Sequence, residues 1–253
     1  MNNMRLDVFL FEKGYFNSRQ KAQNAIKDGA ISVNGKVINK ANYECSEFDI
    51  IEVLKETNLY VSRGGYKLEA AIKNFYLDFK DKIILDIGSS TGGFTDCAIK
   101  HGAKLVYALD VGTDQLDESL KNRSDVISME QTNILDVDSF PTNIDFIVMD
   151  VSFVSISKIL PAIDRFLNND NAFVCLVKPQ FEVGKRFLKN GIVKDRTMHI
   201  KVLEAVKNQL EGYGMGIEKM IVSPILGGSG NKEFLIYVKR NIKSKVNIIE
   251  VCK

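Results

Sequence analysis

The chain has 253 residues, 45% hydrophobic and 26% charged, a globular composition that excludes overall disorder and leaves length for a small and a medium domain. With 34 basic against 32 acidic side chains the net charge is +2, so any anion-binding surface must be local. The 4 cysteines lack a Cys-x-x-Cys pair and only 2 histidines accompany them, which argues against a disulfide framework or a metal site.

In chain order, apolar periodicity predicts a helix over residues 4–13, with Leu6, Phe9 and Leu10 on one face. Ser18 can cap a second helix carrying Ala22, Ala25 and Ile26, which Gly29 should end. Residues 30–33, the Asn34-Gly35 pair and residues 36–38 read as a hairpin, and residues 50–54 as one more strand. Between Met1 and Tyr43 stand 7 basic residues, Arg5, Lys13, Arg19, Lys21, Lys27, Lys36 and Lys40, against 3 acidic ones, while acids cluster from Glu44 to Glu56. That segregation suits an anion-binding face.

Three runs carry a resemblance: Arg5-Leu6-Asp7, then Asn17-Ser18-Arg19-Gln20-Lys21-Ala22, then residues 28–37 with their Val33-Asn34-Gly35 turn. Over residues 4–54 the chain resembles the alpha-L RNA-binding module of ribosomal proteins and RNA-modifying enzymes. The resemblance implies that Arg5, Arg19, Lys21, Lys27 and Lys36 face phosphates of structured RNA. It sets an expected domain over residues 1–58, a linker at 59–65 and a second domain over 66–253.

From about Tyr66 the pattern alternates. A helix runs to Leu77, followed by strand 82–87, helix 92–101, strand 104–110, helix 114–121 and strand 126–130. Strand 144–150, helix 155–167, strand 172–178, a long helix over 194–213 and strands 216–223 and 233–239 follow. Apolar runs such as residues 145–149 are what a parallel strand buried on both faces requires. The fold class is α/β: a Rossmann-like doubly wound sheet behind a small α+β domain.

The first strand of that sheet ends at Asp86 and Ile87 and runs through Gly88, Ser89, Ser90, Thr91, Gly92, Gly93 and Phe94 into a helix. Glycines there let a cofactor approach the helix N-terminus closely. Asp86 lies inside the strand, which suits a cationic sulfonium ligand, S-adenosylmethionine, better than a dinucleotide pyrophosphate. Asp110 closes the second strand, where a carboxylate accepts ribose hydroxyls, and Asn133 and Asp150 complete the expected cofactor set.

Four polar residues stand at element ends: Lys67 near the start of a helix, Asp150 and Lys178 at strand ends, and Glu233 at the start of the last strand. An antiparallel last strand would bring Glu233 to the side where the parallel strands end, and the four should gather in a crevice at one edge of the sheet. The order Lys-Asp-Lys-Glu resembles the FtsJ-type ribose 2'-O-methyltransferases. With the N-terminal module, the chain resembles the TlyA family of rRNA methyltransferases, whose members also carry the name hemolysin. The most specific stretches are Val61-Ser-Arg-Gly-Gly-Tyr-Lys-Leu68, residues 86–95 and Val177-Lys-Pro-Gln-Phe-Glu182.

The resemblance implies 2'-O-methylation of cytidine in ribosomal RNA. As the chain is short at both ends, the large subunit is its expected partner. A ribose hydroxyl is a poor nucleophile and needs a base. Lys178 is the expected base, Asp150 and Glu233 the orienting carboxylates and Lys67 a positioning cation. Arg63, together with Lys185, Arg186 and Lys189 of the loop after Phe181, are further RNA-binding candidates. The basic tail from Lys239 to Lys253 should pack through Ile248, Ile249 and Val251.

Competing readings are a membrane-lysing protein, a non-catalytic RNA-binding factor and a nicotinamide-dependent oxidoreductase. No apolar run reaches the length of a signal peptide or a spanning helix, so a soluble, cytoplasmic chain is expected.

Overall fold

The computed structural model describes residues 4–16, 18–27, 29–54 and 59–253, and the chain divides into two units after Leu59. Asn17, Asp28 and the expected domain boundary at residue 58 lie outside the described residues.

In the first unit β1 (Met4–Arg5) leads directly into α1 (Leu6–Glu12), and α2 (Arg19–Lys27) packs against it. The expected helix starts two residues late because Met4 and Arg5 pair antiparallel with Cys45 and Glu44 of a strand not anticipated, β4 (Glu44–Cys45). Ser18 Oγ accepts the backbone N–H of Lys21, the expected cap. The hairpin β2 (Ile31–Val33) and β3 (Lys36–Val37) turns through Asn34 and Gly35, both at positive φ, and β5 (Ile51–Val53) pairs on the other side of β2. Leu6, Leu10, Ala22, Ile26 and Ile31 are fully buried and form its core.

The second unit holds a seven-stranded sheet. Its strands are β6 (Ile83–Ile87), β7 (Leu105–Leu109), β8 (Val126–Met129), β9 (Phe146–Met149), β10 (Ala172–Val177), β11 (Met215–Val222) and β12 (Phe234–Arg240). The order is β11-β12-β10-β9-β6-β7-β8, parallel from β10 to β8, with β12 antiparallel to β10 as expected.

Alternate residues of the central strands bury on opposite faces. Leu85, Ile147 and Cys175 join the cluster with α6 (Leu160–Phe166) and α8 (Arg196–Gly212). Ile84, Val148 and Val174 join the cluster with α3 (Gly64–Phe75) and α4 (Gly93–Lys100). Both faces are therefore covered, which is why these strands read as unbroken apolar runs.

Local departures have local causes. Residues 60–65, expected as linker, belong to the second unit: Tyr60 is buried in the α3–α4 cluster, and its ring occupies the place a Cβ at Gly65 would need. The expected helix over 114–121 shrinks to α5 (Glu118–Lys121), because Glu130 takes the N–H groups of Asp114, Gln115 and Leu116 and Asp117 then caps the turn. The expected helix over 155–167 begins as a single 3-10 turn at Ile156–Lys158 before α6. Two short helices were not anticipated, α7 (Pro179–Glu182) and α9 (Ile248–Val251); in α9 Ile248 is buried, but Ile249 is 58% exposed and does not pack.

Candidate active site

The antiparallel register of β10 and β12 sets Val177 opposite Phe234, so Lys178 and Glu233 emerge side by side where the parallel strands end. Asp150 follows β9, the next strand over, and Lys67 reaches in from the first turns of α3. The four sequence-predicted residues resolve into two ion pairs. Lys67 Nζ lies 2.6 Å from Glu233 Oε2 and Lys178 Nζ lies 2.6 Å from Asp150 Oδ1. Lys67, Lys178 and Glu233 are buried, so the charges face each other in a medium that screens them poorly. They gather where the parallel strands end, over the neighbouring strands β12, β10 and β9.

The short helix α7 ties this cluster together. Besides its contact with Asp150, Lys178 donates to Ser152 Oγ at 2.8 Å. Gln180 donates to Glu233 Oε1 at 3.0 Å, and Glu182 accepts from Ser155 Oγ and the N–H of Ile156. Residues 178, 180 and 182 thus each fasten a different segment. The sequence reading missed Ser152, Gln180 and Glu182, although alternate polar positions in Val177-Lys-Pro-Gln-Phe-Glu182 carried the signal.

Beside the pairs, the turn after β6 opens a cavity of about 560 Å³ lined by Gly88, Ser90, Asp110, Gly112, Asn133 and Asp150 among others. A smaller space of about 160 Å³, lined by Ser89, Gly93, Phe94 and Lys178, shares Gly88, Ser90, Asp150 and Ser152 with it. The two adjoin along these shared residues, with Lys178 on the smaller side. Gly88 holds φ +82 with the backbone of Asp150 and Val151 pressed against it, and Gly92 holds φ +94 where a Cβ would overlap Leu120. Asp110 accepts from the N–H of Ser90 at 2.8 Å and of Gly112 at 2.7 Å, fixing the turn. Asn133 Oδ1 accepts from the N–H of Leu135.

Asp86 lines neither space. It is fully buried, accepts from Thr95 Oγ1 at 2.6 Å on one oxygen and has no hydrogen-bond partner on the other. Burial pushes its carboxyl up to about 7, against the hydrogen bond from Thr95 and with help from the negative charges of Asp150 and Asp110. Three carboxylates therefore surround the glycine turn.

One exposed aromatic stands at the rim. Phe153 is 90% exposed at φ +64, lines the larger cavity and lies 5.0 Å from the Phe181 ring. A bulky residue in the left-handed region is strained and persists where the surrounding structure enforces it. The sequence reading passed over it despite its place three residues after Asp150.

The expected RNA-binding residues are placed differently from one another. Arg5 and Arg19 are about half exposed and both engage the buried Asp7 carboxylate, at 3.0 and 2.9 Å. Lys27 and Lys36 are exposed and Lys21 half-buried. Arg63 donates to the carbonyl of Leu226 at 2.8 Å. Arg186 is exposed with its guanidinium over the Phe187 ring, and Lys189 is exposed beside the bridge to Ile192; the Lys185 side chain lies outside the described residues. Among the described residues no helix is long and apolar enough to cross a membrane.

Comparison with known proteins agrees with this geometry. The family model of FtsJ-like methyltransferases matches residues 60–240, and that of the S4 domain matches residues 4–51. Hemolysin A of Brachyspira hyodysenteriae is 43% identical over 238 residues, 92% of this chain and 99% of its own. The 16S/23S rRNA (cytidine-2'-O)-methyltransferase TlyA of Mycobacterium tuberculosis is 34% identical, over 93% of this chain and 89% of its own. The 23S rRNA (cytidine-2'-O)-methyltransferase TlyA of Campylobacter jejuni is 32% identical, over 94% of this chain and 100% of its own. With its two lysine–carboxylate pairs above a glycine-turn cavity and an S4 domain ahead of them, the chain belongs to the FtsJ-like methyltransferases, in the group that holds TlyA and hemolysin A.

Proposed function

We propose that this chain transfers a methyl group from S-adenosylmethionine to the ribose 2'-hydroxyl of a cytidine in ribosomal RNA, within the large subunit. The observation that carries the reading is the junction of the two spaces, where Lys178 and Asp150 meet the glycine turn.

The residues present fit the cofactor. A cavity of about 560 Å³ falls in the range of roughly 300–1,000 Å³ typical of small-molecule sites. The carboxylates of Asp110 and Asp150, which line the cavity, favour a cationic ligand and oppose a pyrophosphate, which separates a sulfonium donor from a nicotinamide dinucleotide. Asp110 keeps a lone pair on each oxygen after binding Ser90 and Gly112, enough to accept ribose hydroxyls. When bound, the cofactor supplies an electrophilic methyl carbon on sulfur.

The chain's own residues act on the hydroxyl. Lys178, after releasing to solvent the proton it carries in the ion pair, takes the 2'-hydroxyl proton on Nζ while oxygen bonds to the methyl carbon and the donor's carbon–sulfur bond breaks, leaving a neutral thioether. Asp150 and Ser152 hold Nζ from two sides and so fix its direction. Glu233 and Lys67 form the second pair beside it, steadying charge at the reacting oxygen. Phe153 offers an exposed ring against which the target base can stack once turned out of its strand. The S4 domain supplies RNA affinity through Arg5, Arg19, Lys21, Lys27 and Lys36, and the loop bearing Arg186 and Lys189 adds to it.

The Campylobacter relative, named for 23S rRNA alone, aligns over its entire length, which favours the large subunit. Separated ribosomal subunits from a strain lacking the protein, incubated with labelled methyl donor, test the reading. Label should appear on a cytidine 2'-oxygen of the large-subunit RNA. Label confined to the small subunit would overturn the subunit assignment, and absence of label in both would overturn the reaction.

A further inference from the structure

Glu233 is 2% exposed, and a buried carboxylate needs each oxygen supplied with a donor. Oε2 has the Lys67 ammonium; Oε1 has the side-chain amide of Gln180 at 3.0 Å. The orientation of that amide follows from chemistry, since a carboxylate only accepts and the nitrogen must face it. The other end of the amide, Gln180 Oε1, is buried without a hydrogen-bond partner. An amide placed for the fold alone would use both ends, whereas this one leaves an acceptor unpaired in order to serve Glu233.

The third side of the carboxylate is shaped by an absence of atoms. A Cβ at Gly227 would overlap Glu233 Oε1 and Cδ. Gly227 is buried in a turn closed by its N–H on the carbonyl of Asn231 and by the N–H of Gly230 on its own carbonyl, just ahead of β12. The turn thus brings bare backbone against the carboxylate, and Gln180 approaches from α7 with the same short helix that begins after Lys178.

We infer that Gln180 and Gly227 form the seat that fixes the Glu233 carboxylate on Lys67, with Gln180 a positioning residue that couples the two lysine–carboxylate pairs. The inference rests on the proposed methyl transfer for its effect on rate, and on the contact itself for its effect on pH behaviour. Without the seat, Glu233 turns away from Lys67, and a displacement of about 1 Å near a reacting centre costs roughly a hundredfold in rate.

Three substitutions test it. Gln180→Ala should lower single-turnover methylation of ribosomal RNA by roughly tenfold to a hundredfold, with S-adenosylmethionine and RNA affinities within about twofold of the wild type. Gly227→Ala should give the same pattern by pushing Glu233 from the other side, and melting curves of both show that they fold. Gln180→Glu sets a second carboxylate against Glu233, so the two share a proton at low pH and repel at high pH. Its melting temperature relative to the wild type should fall as pH rises, with no substrate present, and its relative rate should fall in the same window. Wild-type turnover in Gln180→Ala, or a loss confined to KM, would overturn the positioning role. Parallel pH–melting curves for Gln180→Glu and the wild type would overturn the contact. Should the wild type itself methylate no RNA, the proposed reaction fails while the melting series still decides whether the seat exists.

Discussion

Asp7 in the first unit and Asp86 in the second are the same residue with the same absence of exposed surface, and they carry opposite electrostatic consequences. Burial pushes the Asp7 carboxyl up, but hydrogen bonds from Arg5, Gln23 and Arg19 outweigh it and hold the group well below the usual carboxylate range. Asp86 has one side-chain donor, Thr95, and two like-charged neighbours, so its carboxyl rises to about 7. Depth and the number of donors together decide which buried carboxylate stays charged: Asp86 lies deeper and has fewer donors than Asp7. In the first unit the charge pins a strand–helix junction to α2; in the second the carboxyl is left short of partners behind the glycine turn, where only the field of a ligand in the cavity reaches it.

The largest effect should fall on the second unit's paired charges and on rate rather than on folding. Lys178→Ala should lower single-turnover methylation by about a hundredfold to ten-thousandfold, the range of a lost general base. Its melting temperature should change less than after a core truncation such as Leu85→Ala, since Asp150, still partly exposed, is solvated once its partner is gone. Lys178→Arg should not restore the rate, because a guanidinium keeps its proton and cannot accept another. Near-normal turnover by Lys178→Arg would leave this residue an orienting charge and blur the contrast between the two units.

Asp86 sharpens the comparison through pH. With a folded value of about 7 against 3.8 for the free group, the native chain holds more protons than the unfolded chain between about pH 4 and 7. Stability contributed by the neutral acid is therefore present at low pH and lost as pH rises through 7, a change on the order of 4 kcal/mol at most. Asp86→Asn, neutral at every pH, should show a flatter stability curve over that window, measured by urea unfolding. A bound cation favours the carboxylate, so affinity for S-adenosylmethionine should weaken as pH falls below 7 in the wild type and lose that dependence in Asp86→Asn. Parallel unfolding curves for the two proteins would show that Asp86 stays charged throughout, as Asp7 does.

What was legible in the sequence was whatever one element settles by itself. The apolar runs announced strands buried on both faces, and the hairpin announced itself through Asn34-Gly35. An antiparallel last strand is the condition under which Glu233 reaches the side where the parallel strands end, and the register of β10 with β12 meets it. What stayed hidden depends on partners distant in the chain. Glu130 unwinds residues 114–116 from 14 to 16 positions away, and Gln180 meets Glu233 across 53. Asp7 was hidden for another reason: an acid two residues from Arg5 reads as a diluted charge, whereas the turn from β1 into α1 makes it the acceptor shared by both arginines.

That sharing yields the last and smallest prediction. Two guanidiniums on one carboxylate leave a net single positive charge beneath a half-exposed surface, so the cluster offers RNA about one phosphate contact rather than two. Arg19→Ala should reduce the salt dependence of RNA binding by about one unit of slope and leave the rate at saturating RNA unchanged. Asp7→Asn should do the reverse, steepening the salt dependence as the second guanidinium is released, while unfolding becomes easier by about 1–3 kcal/mol through the lost charged acceptor. Filter binding of large-subunit RNA at several salt concentrations reads both, with melting curves beside them. Loss of RNA affinity in both variants by the same factor would mean that the arginines bind only as Asp7 directs them, and that orientation outweighs net charge on this face. An unchanged slope in both would take Arg5 and Arg19 off the RNA surface altogether and leave the first unit's buried charge, unlike the second's, to the fold alone.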